Sequence, residues 1–296
     1  MRLPTFPMLA KLGPARAIAL AVIIALAVVV VGCGGDERSE EKPAAVTSSP
    51  AAAKKLDRVV EIGNDRRLYV RCTGTGSPTL ILESGDVDTS DSYAFAERAL
   101  ARKTRTCAYD RANLGRSGPA PAPRGLSDLV GDLEALLRAA KIPGPYVLVG
   151  TSGGGYISAG YAYAHPGQVA GMVFVEVAAP FRNPPQAFVE ETDPHNPSNI
   201  ERRDYLQIEK DAWAARKRIG NIPVTIISNE YSSEEIAGST FPSEASGMRQ
   251  NVEDQKGWLL LSPRAKQIVV HTGHAVEEAN PDLVIDAILD VVKTAQ

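Results

Sequence analysis

A chain of 296 residues, 44% hydrophobic and 23% charged, has enough apolar material for a sizeable core and the balance of an ordinary globular protein. Its formal charge is −3 and no Lys/Arg-rich run exceeds short pairs such as Lys54-Lys55, which argues against nucleic acid as a partner. One large domain, or one with an insertion, is expected.

Arg2, Lys11 and Arg16 precede an apolar run from Ala17 to Val31, the length of a secretory hydrophobic region and short for a membrane span. The run closes on Val30-Val31-Gly32-Cys33, which resembles a bacterial lipobox, whose cysteine is lipidated and becomes the mature N-terminus. The resemblance implies a signal peptide over residues 1–33 and a protein held by lipid on the outer side of the cytoplasmic membrane. An uncleaved anchor helix and a plain secretory signal with an unrelated Cys33 are the alternatives. Cleavage removes three basic residues and no acidic one, leaving 29 Lys+Arg against 35 Asp+Glu, a formal −6. Residues 34–55 are rich in Gly, Ser, Ala, Pro and charge without an apolar period, and read as a flexible linker.

A folded domain over 56–296 follows. Arg58 to Ile62 and Arg67 to Arg71 read as two strands joined at the hairpin signal Gly63-Asn64-Asp65. Thr79 to Glu83 is a third strand, turning at Ser84-Gly85-Asp86; a helix is expected from Ser92 to Arg102, and a fourth strand from Thr106 to Tyr109. Leu126, Leu129, Val130, Leu133, Leu137 and Ala140 recur at helical spacing, with Ser127 as the expected cap and Pro143-Gly144 as the stop. Tyr146 to Val149 is the fifth strand and its helix runs to about Tyr163. The sixth, Val169 to Glu176, is apolar enough for burial on both faces, as in a parallel sheet. Pro-rich, charged sequence between Val177 and Asn221 reads as a short lid insertion. Val224 to Ser228 is a seventh strand, a loop and a helix near Glu244 to Leu261 follow, and Gln267 to His271 is an eighth. The last helix starts at Asn280-Pro281 and buries Val284, Ile288 and Val291. Strands alternating with helices predict a doubly wound, mostly parallel eight-stranded α/β sheet.

The fifth strand runs directly into Gly150-Thr151-Ser152-Gly153-Gly154, which fits G-x-S-x-G. A serine on such a strand-to-helix turn sits in a strained backbone that only small neighbours allow, with its hydroxyl lifted above the sheet edge. The N–H of Gly153, at a helix N-terminus, can face a developing oxyanion. Ser152 needs a base, and His165, His195, His271 and His274 are the four histidines available. Glu176 closes an otherwise apolar strand at its carboxyl end, where a carboxylate without a task would be costly to bury.

The ordered set LESGD, YDRANLGRS, VLVGTSGGG, VAGMVFVE and HTGHAVEEANPDLV resembles the α/β-hydrolase superfamily over roughly residues 57–296. Thr151 stands where that family often has His, and Asn113 where it often has Gly. The resemblance implies that His274, in the Gly273-His274 loop after the last strand, is the catalytic base to Ser152. It offers two positions for the acid: the end of strand six, as in haloalkane dehalogenases, where Glu176 stands, or the loop after strand seven, where Glu230 stands with Glu234 and Glu235 further on. Strand seven lacks the usual Asp after a glycine turn, so Glu176 is preferred. The second oxyanion donor implied is the N–H of Asp86. Tyr109-Asp110-Arg111 reads as structural, a charged group that ties neighbouring loops. Strands two and four are neighbours in the resembled fold, so Cys72 and Cys107 are expected to meet as a disulfide, two free buried thiols being the alternative.

These residues imply a serine hydrolase acting on an ester of a small-molecule acyl substrate through an acyl-enzyme, with no cofactor and no metal. Amide or peptide hydrolysis, or acyl transfer, would use the same elbow. A surface-tethered binding protein that lost activity is the non-enzymatic alternative.

Overall fold

The computed structural model describes residues 55–295. The expected leader and most of the expected linker lie outside the described residues, and among those described no helix is long and apolar enough to cross a membrane.

Eight strands form one sheet: β1 (Leu56–Gly63), β2 (Arg66–Thr73), β3 (Thr79–Glu83), β4 (Thr106–Tyr109), β5 (Tyr146–Thr151), β6 (Val169–Val175), β7 (Val224–Asn229) and β8 (Ala265–Val270). Their spatial order is β1-β2-β4-β3-β5-β6-β7-β8. The β1–β2 hairpin and the β2–β4 pair are antiparallel, and every pair from β4 through β8 is parallel. The parallel strands need crossovers, and these are largely helical: α1 (Ala94–Ala101), α2 (Leu126–Ala139), α3 (Gly154–Ala164), and, after β6, α4 (Gln186–Thr192) and α5 (Tyr205–Ala214). Beyond β7 come α6 (Ser233–Ala237) and α7 (Pro242–Gln255), and beyond β8 come α8 (Val276–Ala279) and α9 (Pro281–Thr294).

Because strand side chains alternate, the sheet has two apolar faces. Leu148, Met172, Phe174 and Ile226 face a core shared with Leu133 and Leu136 of α2, Ile157 of α3 and Trp258. Val147, Val149, Val173, Val175 and Ile227 face the other way, against Leu100 of α1 and Val284, Ile288 and Val291 of α9. Both faces are covered, which accounts for the unbroken apolar run of β6.

Cys72 and Cys107 stand opposite each other in the β2–β4 register and form a disulfide. Ser127 is not the cap of α2. Gly125 occupies that position, and Asp128 three residues on accepts from its N–H at 2.8 Å. β8 begins two residues earlier than expected, because Ala265 pairs with Val224, and it ends before His271.

Candidate active site

All six residues of β5 are buried, so the strand is fixed up to the residue before Ser152. Ser152 then takes φ +48, and its N–H donates to Val175 O at 2.9 Å, anchoring the turn to β6. α3 starts so close behind that a Cβ on Gly150 would stand 2.5 Å from the Gly155 Cα and 2.8 Å from its N. The atoms met are backbone, so a side chain there would have to push α3 away from β5, which is why glycine suits the position. Thr151, where His is common in the resembled family, places its hydroxyl 2.9 Å from that of Tyr93, which donates to Glu83 O at 3.1 Å. Elbow and β3 are thereby joined.

The loop after β8 returns His274 across 122 residues of sequence to put Nε2 3.1 Å from Ser152 Oγ. Its Nδ1 faces Glu176 Oε1 at 3.9 Å. That separation is longer than a full hydrogen bond, as such contacts commonly are before substrate binds. The pull of the Glu176 carboxylate on Nδ1, together with its charge, holds the imidazole above the ordinary histidine pKa.

Glu176 follows β6 at φ +51 and is buried. Its carboxylate accepts from Asn229 N–H (2.7 Å), Tyr231 Oη (3.0 Å), Asn251 Nδ2 (2.7 Å) and Gln255 Nε2 (3.1 Å). All four donors are neutral, so no cation competes with His274 for the carboxylate. Asn229 also accepts from the N–H groups of Thr272 and Gly273, at 2.7 and 3.0 Å, and so holds the histidine loop. Sequence reasoning missed these donors. Asn251 and Gln255 sit one helical turn apart on the same face of α7, a spacing that marks a polar stripe without revealing what it faces.

The other candidates lie elsewhere. Glu230 is exposed and stands 3.6 Å from Nδ1 of His271, while its N–H joins Val270 O at 2.8 Å. His165 is 3.5 Å from Glu134 and against the Tyr161 ring, and His195 is exposed beside Asp193 at 3.3 Å. Asp110 and Arg111 do not pair with each other. Asp110 accepts from Ser90 and Arg116, and Arg111 turns the other way, to Glu83 and Glu201. Asn113, at φ +71, holds the left-handed backbone that glycine more often supplies and that Asn tolerates.

The turn after β3 packs on the elbow. A Cβ on Gly85 would lie 3.6 Å from Ser152 Cβ, and one on Gly153 would overlap the Asp86 carboxylate, which is ion-paired with Arg203. Gly153 and Asp86 therefore flank the same corner as Ser152. Among the described residues no group of three or more His, Cys, Asp or Glu side chains is placed to hold a metal ion. A serine hydroxyl, an imidazole and a carboxylate in line are a set of groups that can carry out acyl transfer.

The fold is shared with known proteins. Residues 78–227 match the family model described as alpha/beta hydrolase fold. The uncharacterized protein YqjL of Bacillus subtilis is 26% identical over 225 residues, covering 74% of this chain and 85% of that protein. Among solved structures, a thermophilic esterase from Thermogutta terrifontis aligns with a TM-score of 0.60 at 17% identity, covering 82% of this chain and 99% of that one. Carboxylesterase CesB from Bacillus subtilis aligns with a TM-score of 0.58 at 16% identity, covering 80% and 91%. At these identities the structural likeness speaks to the fold alone.

Proposed function

The chain belongs to the alpha/beta hydrolase fold family, and from that premise we propose that it is a serine hydrolase cleaving a carboxylic ester through an acyl-enzyme. The observation that carries this reading is the 3.1 Å contact between Ser152 Oγ and His274 Nε2, with Glu176 on the far side of the ring. Nε2 takes the serine proton as Oγ attacks the ester carbonyl, and the N–H groups of Gly153 and Asp86 receive the oxyanion. The imidazolium, oriented by Glu176, returns the proton to the leaving alkoxide as the ester C–O bond breaks. Water then repeats the sequence on the acyl-Ser152 ester, releasing the carboxylic acid and restoring the hydroxyl.

A fluorophosphonate probe and a panel of p-nitrophenyl esters of increasing chain length test the proposal. Labelling and hydrolysis lost in Ser152→Ala support it; a folded chain that takes no probe and cleaves no ester favours a binding protein instead. Glu176→Gln is expected to lose roughly 10²- to 10⁴-fold in kcat while Glu230→Gln stays near wild type, and the reverse order would move the acid to Glu230.

The same proposal has the domain outside the cytoplasmic membrane, tethered through a lipid on Cys33. The Cys72–Cys107 disulfide supports an oxidising location, since reducing cytosol keeps such thiols apart. Mass spectrometry of the mature N-terminal peptide tests it, and an unmodified Cys33 would remove the tether.

A further inference from the structure

We infer that Arg111 and Glu201 are positioning residues for the turn that carries the Asp86 oxyanion donor, an inference that rests on the hydrolase reading above. Arg111 is buried, and all five of its N–H donors are engaged. Nη1 donates to Glu83 Oε1 at 2.9 Å and Ser84 O at 2.6 Å. Nη2 donates to Gly85 O at 2.6 Å and Glu201 Oε1 at 2.9 Å, and Nε to Glu201 Oε2 at 2.8 Å. A planar guanidinium locked by two carboxylates thus fixes the direction of two successive carbonyls.

The consequence for Asp86 follows from peptide geometry. Gly85 C=O and Asp86 N–H share one trans plane and point opposite ways, so a carbonyl held on Arg111 turns that N–H away from Arg111. On the other side of Asp86, Val87 donates its N–H to Glu201 Oε1 at 2.6 Å. Val87 has φ +59, which a β-branched residue rarely adopts, and the residue is 53% exposed. Burial does not compensate that strain; the hydrogen bond to Glu201 does. The peptide groups on both sides of the Asp86 Cα, one of them carrying its N–H, are therefore held by a single Arg111–Glu201 unit. Glu201 belongs to the insertion between β6 and β7, 114 residues from Val87. Arg203, two residues on, grips the Asp86 carboxylate. The insertion thus sets the geometry of the turn.

The test compares wild type, Glu201→Gln and Glu201→Asp on an ester and on the matching thionoester. An oxyanion accepts N–H bonds strongly and a thiolate-like sulfur weakly, so the ester-over-thionoester preference in kcat/KM reads the oxyanion donors rather than general folding. Glu201→Asp keeps the buried charge balance, which guards against the unfolding that Glu201→Gln risks, yet is one methylene too short to bridge Arg111 and Val87. The expected result is a preference reduced on the order of tenfold in both variants, with kcat falling and KM nearly unchanged. A folded Glu201→Asp chain with the wild-type preference overturns the positioning role and leaves the hydrolase reading standing. A wild-type chain that cleaves neither ester overturns that reading, and the inference with it.

Discussion

Asn229 donates its backbone N–H to Glu176 at 2.7 Å while its side-chain oxygen accepts from two successive N–H groups, those of Thr272 and Gly273, just before His274. One residue at the end of β7 thereby fixes both the carboxylate and the loop that bears the imidazole. Asn229→Ala deletes the two loop contacts and leaves two N–H groups without their partner, each loss being worth about 1 kcal/mol or more. His274 then drifts from Ser152, and kcat is expected to fall roughly 10- to 100-fold with a smaller change in KM. Steady-state kinetics on the best p-nitrophenyl ester check this; wild-type kcat would mean the loop is held by other contacts.

The pH dependence has a definite sign. His274 acts as a base only when neutral, and Glu176 raises its pKa above the ordinary histidine value. Activity is therefore lost as pH falls, with the midpoint of kcat/KM lying above the pH at which an isolated histidine titrates. Glu176→Gln removes the carboxylate's pull and charge, both of which favour the protonated ring. The midpoint of the residual activity should move to lower pH, and a pH–kcat/KM profile of the two proteins measures it. A midpoint that does not move would mean Glu176 does not sense the imidazole.

Where the sequence could be read, it could be read for physical reasons. β3 and β4 were delimited by their apolar runs and turn residues, and Glu176 stood out because a carboxylate closing an apolar strand needs a purpose. What escaped was tertiary. α6 and α8 are too short to show a period; α6 rests on the Ser232–Glu235 capping box. Asn251 and Gln255 are two polar residues one turn apart on a polar helix, and only the folded chain turns them over Glu176. The bond from Val87 to Glu201 crosses 114 residues and leaves no local pattern at all.

Ser152 sits at φ +48, a conformation that costs an L-residue roughly 1–2 kcal/mol and costs glycine little. Ser152→Gly and Ser152→Ala should both be inactive, yet they should differ in stability. Glycine relieves the backbone strain but is more flexible when unfolded, which takes back part of the gain. Urea unfolding is expected to find Ser152→Gly more stable than Ser152→Ala by about 0.5–1 kcal/mol. Equal stabilities would mean that the elbow stores no strain at this residue.

The disulfide makes a separate prediction about stability. Cys72 and Cys107 are 35 residues apart in sequence, and closing a loop of that length restricts the unfolded chain by about 3–4 kcal/mol in the chain-entropy treatment. Both cysteines lie in the β2–β4 ladder, so the bridge ties the antiparallel end of the sheet to its parallel body. The paired Cys72→Ala, Cys107→Ala variant avoids leaving a lone thiol and should melt roughly 10 °C lower. Because neither residue touches Ser152, His274 or Glu176, its kcat below the melting range should remain near wild type. Calorimetry with and without reductant separates the contributions: reductant should lower the melting temperature of the wild type and leave that of the double variant unchanged. A double variant as stable as the oxidised wild type would show that the β2–β4 pairing holds this end of the sheet without the bond.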